Sequence, residues 1–523
     1  MSTALPRRTA LRTAAAAVVG ASVAGAVSAC SGDDERAGGE GSGGSHPAPP
    51  VRHALTVGVA GRAGTLDPAT RGGAAAATLA ASRALLEAAS IVLVTSERPA
   101  DLSAATDAAL LLGIPLLVQG PGLAAELRRL GTRTVLRWAG SGSATPAASA
   151  TPTARGALEV VEVAGVDDLP DLPGLPLQRP SHGATLLVLD GAEVPAAVEA
   201  TLAAVGARRV AVTGPDPRTS ADARTAVRRS ADAPVLAVGR GLGPPGRFAQ
   251  RVRTARHAPE LPAGGLVPFP GRRMVALYGH PDTAALGMLG EQPAAQSAER
   301  ATVLAGRFQQ LTDVPVVPAF ELIATVASGS RQEDGSYSRR TALSTLLPWV
   351  EAAEAAGAYV VLDLQPGRHD FLSQARRYEP LLRRPWVGLA LDPEWRLQPG
   401  EKPLRQIGHV GIEEVNAVGA WLAALVRTHD LPPKVLTLHQ FSTSMVRDRD
   451  RLDTSLDEVQ WLVHADGQGG QGAKQETWAA LRRDLPEGVW LGWKNFEDED
   501  TPMLTPAETV AQVHPMPYFV SYQ

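Results

Sequence analysis

The last 251 residues, from Arg273 to Gln523, contain eight short apolar runs separated by segments of helical period. The runs are Val275–His280, Val316–Glu321, Tyr359–Gln365, Val387–Glu394, Val435–Gln440, Trp461–Asp466, Val489–Lys494 and Tyr518–Gln523. Strands that alternate with helices imply a parallel sheet, because a parallel neighbour is reached only by a crossover. The joints entering the runs are short and marked by glycine or proline: Ala356-Gly357, Arg384-Pro385, Leu431-Pro432-Pro433 and Pro486-Glu487-Gly488. The joints leaving them are long, at 281–297, 324–343, 395–410 and 497–504. Short bottoms, long tops and this length predict a (β/α)8 TIM barrel over 273–523 that works at its C-terminal face.

Alternate residues of a strand share a face, so each run also predicts which side chains point inward at its tip. In WVGLALDPEW, Gly388, Ala390, Asp392 and Glu394 share one face, with the two acids about 7 Å apart along the strand. The alternative is an Asp-Pro turn whose acids cap the next element. The same phase supplies Tyr278 and His280 from strand one, Glu321 from strand two, and Asp363 and Gln365 from strand three. Strands five to seven add His439, His464 with Asp466, and Lys494; strand eight offers Ser521 and Gln523 or, in the other phase, Tyr522. Burying so many titratable groups costs several kcal/mol per unpaired charge, so stability alone explains the ring poorly. A fully paired salt-bridge network in an inactive barrel is the competing explanation.

Eight of the nine tryptophans lie in this region, although the chain is only 4% aromatic. Tyr278, Phe320, Trp395, Phe441, Trp493, Phe496 and Tyr518 fall beside the ring, and flat rings near carboxylates suit the C–H faces of sugars. Trp349, Trp421 and Trp478 sit on helical patterns and read as core. Strand four resembles the chitinase-type glycoside hydrolases of family 18, in which a glycine is followed by alternating acids ending Asp-x-Glu. Gly388, Leu389, Leu391, Asp392 and Glu394 match; Val387 and Ala390 stand where that family has acids, and Pro393 replaces an aromatic. The resemblance implies that Glu394 protonates the glycosidic oxygen and that Asp392 tunes it. With the third acid missing, Asp363, Glu321 or Asp466 is the candidate second carboxylate that glycoside cleavage needs. Tyr278, His280, Gln365, Trp395, His439, His464, Trp493 and Lys494 are then substrate-binding candidates, with no metal or cofactor required. Two other readings stay open: a hydrolytic metal held by His280, His439, His464 and Asp466, and a barrel that only binds ligand.

Upstream, residues 1–30 carry Arg7-Arg8-Thr9-Ala10-Leu11-Arg12, an Ala/Val-rich run and Val27-Ser28-Ala29-Cys30. This order of charged, apolar and small residues marks a targeting segment. Its end resembles a lipobox, and the paired arginines resemble a twin-arginine signal. The resemblance implies that Cys30, the sole cysteine, is lipidated and holds the chain to a bacterial cell membrane on its extracytoplasmic face. Residues 31–50 read as a disordered tether. From 51 to 168 and from 184 to 258, strand-like runs alternate with Ala/Leu/Arg helices, predicting Rossmann-like parallel α/β layers divided by a Pro/Leu linker at 169–183. The stretch IVLVTSERPADLSAATDAALLLGIPLLVQGPGLAAELRRLGTRTVLRWAG resembles the type 2 cell-wall-binding repeat family, with a weaker echo in GATLLVLDGAEVPAAVEATLAAVGARRVAVTG. That resemblance implies envelope attachment, and an envelope or extracellular glycan becomes the expected partner. Residues 259–272 read as a Pro/Gly linker. A net charge of −4 gives no support for nucleic-acid binding.

Overall fold

The computed structural model describes residues 54–57, 62–67, 72–140, 158–165, 183–229 and 233–523. The leader, Cys30, the tether and 169–182 of the Pro/Leu stretch lie outside them. Among the described residues no helix is long and apolar enough to cross a membrane.

All eight expected strands form, and they close into one parallel barrel. The order around the ring is Arg273–Gly279, Val316–Ala327, Tyr359–Leu364, Val387–Leu391, Lys434–Gln440, Val459–Ala465, Trp490–Asn495 and Phe519–Tyr522, with the last pairing back onto the first. Outward residues such as Phe320, Leu389, Leu436 and Val463 pack under the surrounding helices. Full burial of such side chains contributes about 1.5–3 kcal/mol each. Inward residues fill the lower barrel: Met274, Ala276, Val317, Ala319, Tyr359, Val361, Ala390, Val435, Leu462 and Phe519. The small residues of strand four make room for Tyr359. A Cβ on Gly388 would lie 2.6 Å from the Val435 carbonyl oxygen and 3.0 Å from the Tyr359 hydroxyl.

Two strands end differently from their sequence pattern. Strand two does not stop at Glu321. The following Leu-Ile-Ala-Thr-Val is β-favouring, so the strand runs to Ala327 and folds back as a hairpin with Ser338–Arg340 inside the expected loop. Strand four stops at Leu391. Pro393 has no N–H for a ladder, and Pro393–Trp395 forms a 3-10 turn that Asp392 caps by accepting a hydrogen bond from Glu394 N at 3.3 Å. The capping and inward-facing roles of Asp392 therefore coexist.

Upstream, two four-stranded parallel sheets form. One has the order Leu116–Val118, Ile91–Thr95, Thr134–Trp138 and Glu159–Val163; the other has Ala63–Leu66, Val235–Val238, Thr185–Leu189 and Arg208–Val212. Ala63–Leu66 thus crosses from the first half of the region into the sheet of the second. A short strand, Leu55–Val57, pairs antiparallel with Leu86–Ala89.

The segment 259–272 packs under the barrel. Leu261 and Phe269 enter its lower core, and buried Arg272 donates to the carbonyls of Pro262, Gly264 and Pro268. Around this plug, the upstream layer docks on the N-terminal ends of the strands. Arg251 forks onto Asp457 at 2.7 and 2.9 Å, Arg218 donates to the Asp457 carbonyl at 2.8 Å, and the Trp386 indole donates to the Glu260 carbonyl at 3.0 Å. The C-terminal face lies at the opposite end of the strands.

Candidate active site

Strand register sets Tyr278 beside Glu321, His439 beside His464, and Lys494 beside Ser521 on the inner wall. Asp363 and Asp392 join them, and all eight are buried. His439 is held at both nitrogens: Nδ1 stands 2.9 Å from Asp466 Oδ2 and Nε2 stands 3.0 Å from Glu321 Oε1. Lys494 Nζ pairs with Asp466 Oδ1 at 3.0 Å and sits 3.6 Å above the Tyr278 ring. Tyr278 donates to Asp363 Oδ2 at 2.9 Å and accepts from Gln365 Nε2 at 3.3 Å. His464 Nε2 meets Ser521 Oγ at 3.2 Å, which settles the phase of strand eight: Ser521 faces in and Tyr522 faces out to the helices.

These neighbours divide the acids into two sets. Burial opposes ionisation of Asp466 and Glu321. For Asp466, Lys494 and His439 outweigh burial, and for Glu321 the two imidazoles do, so both stay below the usual carboxylate range. His439 is pushed well above the usual imidazole value, because Glu321 and Asp466 overcome its burial. His464, lacking such a grip, is pushed down by burial to about 4. On the other side, burial and ionised Asp466 push Glu394 up to about 7. Burial and Glu321 raise Asp363 to about 6, and burial and Asp363 hold Asp392 well above its ordinary value.

Above the cluster opens a cavity of about 550 Å³, lined by Asp392, Glu394 and Asp466 with the rings of Tyr278, Trp395, Phe441 and Phe496. That size suits a small-molecule or sugar-ring ligand. Gln365, Lys494 and Gln523 also reach it. Gln468, Thr477 and Glu499 also line it; no strand periodicity marks them, because two loops and the helix Gln471–Arg482 bring them there. Glu321, Asp363, His439 and His464 are sealed below.

Four candidates lie elsewhere. His280 is turned away because Gly279, at φ +151°, ends strand one in a conformation closed to other residues. Its Nε2 bonds Thr341 Oγ1 at 2.8 Å in a side cavity with Arg339 and Arg340. Trp493 is one residue out of phase with Lys494, so its ring lies outside the barrel against Trp478. Phe320 is outside for the same reason, against Trp349. Tyr518 stands just before strand eight and belongs to the floor, tilted against Phe269 and edge-on to Trp490. A larger cavity of about 690 Å³ lies at the edge of the upstream sheet, but Thr65 and Asp67 are the only polar side chains among its described lining residues.

Fold and site together define a parallel α/β barrel with an acid-lined, aromatic-walled mouth. No protein-family model matches the chain, and no curated protein does. Among solved structures, an HpcH/HpaI aldolase from Desulfitobacterium hafniense DCB-2 is similar over 48% of this chain and 86% of its own, at 12% identity and a TM-score of 0.25.

Proposed function

We propose that the barrel is a glycoside hydrolase in which Glu394 donates a proton to the glycosidic oxygen and ionised Asp466 is the second carboxylate. The observation that carries this reading is the pairing itself. Two acids open onto one aromatic-walled cavity, and their surroundings push one toward holding a proton and the other toward losing it. Such a division assigns acid and base roles at neutral pH. Glu321 and Asp363, also candidates for the second carboxylate, lie below the cavity and out of substrate reach. Trp395, Phe441 and Phe496 supply sugar-stacking surfaces. Tyr278 and Lys494 hold Asp363 and Asp466 in place.

The leader and its lipobox-like Cys30 support a lipid-anchored protein outside the cytoplasm, which makes an envelope or extracellular glycan the natural substrate. The paired cluster beneath the mouth favours the rival reading of a barrel that only holds its ligand. Glu394→Gln separates the two. The variant keeps shape but cannot donate a proton, so release of reducing ends from cell-wall or extracellular polysaccharide should fall at least ~10²-fold. No release by the parent protein from any such glycan favours the scaffold, and full activity in the variant removes Glu394 from the acid role. Loss of Cys30→Ala from the membrane fraction tests the anchor.

A further inference from the structure

We propose that Glu321, His439 and His464, with Asp363 beside them, form a site for one divalent transition-metal ion beneath the mouth, and that zinc fits it. The first reason is an imbalance in the hydrogen bonding. Glu321 Oε2, Asp363 Oδ1 and His464 Nδ1 are buried without a hydrogen-bond partner among the described residues. Native interiors rarely leave several polar atoms of one cluster unmade.

The second reason is that on His439, His464 and Asp363 the atoms directed away from the centre are satisfied. His439 Nδ1 is held by Asp466 at 2.9 Å, His464 Nε2 by Ser521 at 3.2 Å, and Asp363 Oδ2 by the Tyr278 hydroxyl at 2.9 Å. Metal-binding histidines and carboxylates are oriented in this way, with the far atom fixed by a neighbour.

The third reason is spacing. Glu321 Oε1 lies 3.0 Å from His439 Nε2 and 3.8 Å from His464 Nδ1, and Asp363 Oδ1 lies 3.9 Å from His439 Nε2. Ligand atoms of Glu321, His439 and His464 all fall within 4.8 Å of one another. A tetrahedral zinc with bonds of ~2.0–2.1 Å sets its ligand atoms about 3.3 Å apart. The present distances bracket that value. Two imidazoles and two carboxylates suit zinc better than magnesium or calcium, which favour oxygen donors in larger number.

Charge balances as well. The ion replaces the proton that His439 shares with Glu321, which leaves to solvent, and two positive charges meet two carboxylates. Three side chains hold the ion and Asp363 is the nearest further donor; none of the four lines the mouth cavity. The ion therefore positions the mouth: it fixes Asp466 through His439 and Tyr278 through Asp363.

The test uses the full chain without an affinity tag, stripped by a chelator and equilibrated with zinc chloride, manganese chloride or magnesium chloride. Metal per chain is counted by mass spectrometry after gel filtration, beside thermal unfolding. One zinc per chain and a raised unfolding temperature are expected. Glu321→Gln and His464→Gln should each weaken zinc binding at least ~10-fold, and Ser521→Ala, acting through His464, by ~10-fold or more. If His464→Gln does not fold, the near-isosteric Glu321→Gln and the small Ser521→Ala carry the comparison. No retained zinc, or equal retention by the parent and these variants, overturns the site. Zinc binding without glycan cleavage leaves the site standing and removes the glycosidase. Glycan cleavage by a chain that retains no zinc does the reverse.

Discussion

The two ends of the barrel treat buried polarity in opposite ways. At the floor the fully buried Lys434 and Tyr359 have partners: Lys434 Nζ donates to the carbonyls of Arg384 and Val387, both at 2.8 Å, and the Tyr359 hydroxyl accepts from Val435 N at 3.1 Å, while Arg273 Nε and Gln460 Oε1 are the isolated exceptions among the described residues there. The wall beside the mouth is equally settled, with Lys474 Nζ donating to Asp500 Oδ2 at 2.6 Å and to the Lys494 carbonyl at 2.8 Å. At the mouth five carboxylates compete for two cations and a hydroxyl, and polar atoms are left over. Polarity that is paired one to one serves the fold, whereas polarity in excess is retained for something outside it.

The largest effect that distinguishes these regions should come from the settled one. Lys474→Met strands the Asp500 carboxylate in a buried wall, and loss of one partner of such a pair costs about 3–5 kcal/mol. Chemical denaturation measures it; a cost within error would place Asp500 in contact with solvent. At the mouth, activity should follow the proton on Glu394. Because its carboxyl is pushed up to about 7, kcat/KM should fall about tenfold per pH unit above that value. A flat alkaline limb would exclude Glu394 as the proton donor. Trp395→Phe keeps a smaller ring and should raise KM only a few-fold, in line with the ~0.5–1.5 kcal/mol of an aromatic contact. The same change at Trp493, outside the barrel, should leave KM alone.

The smallest expected effect concerns stability. Glu394 has a folded value of about 7 against an ordinary 4.5, so the native state holds a proton that the unfolded chain gives up between those values. Stability is therefore lost as pH rises through that window. Glu394→Gln should melt slightly above the parent at about pH 8, with the gap closing near pH 4. A variant less stable at both would assign Glu394 to the barrel's support.

Sequence periodicity carried the barrel a long way. Strand count, order and the inward phase of the first seven strands follow from the alternation, which brought Tyr278, Glu321, Asp363, Asp392, His439, His464 and Lys494 to one ring, while the phase of strand eight had to wait for the His464–Ser521 contact. It failed where a strand's end is decided by something other than its pattern. Gly279 turns the chain before His280, and Pro393 turns it before Glu394. The β-favouring residues after Glu321 carried strand two into a hairpin, because an acid does not stop a ladder that continues to find partners. Phase also had to be applied to aromatics as strictly as to acids: Phe320 and Trp493 alternate with Glu321 and Lys494 and so face the helices. Pairing between distant segments, such as Ala63–Leu66 with Val235–Val238, leaves no local signal.

The arginine fork of Arg251 on Asp457, with Arg218 beside it, ties the upstream layer to the end of the barrel remote from its mouth. The contacts that attach the upstream layer and the side chains that line the mouth therefore sit at opposite ends of the barrel. Substitutions on the rim around Trp395, Phe441 and Phe496 can reshape the mouth without touching the contacts that hold the two parts together.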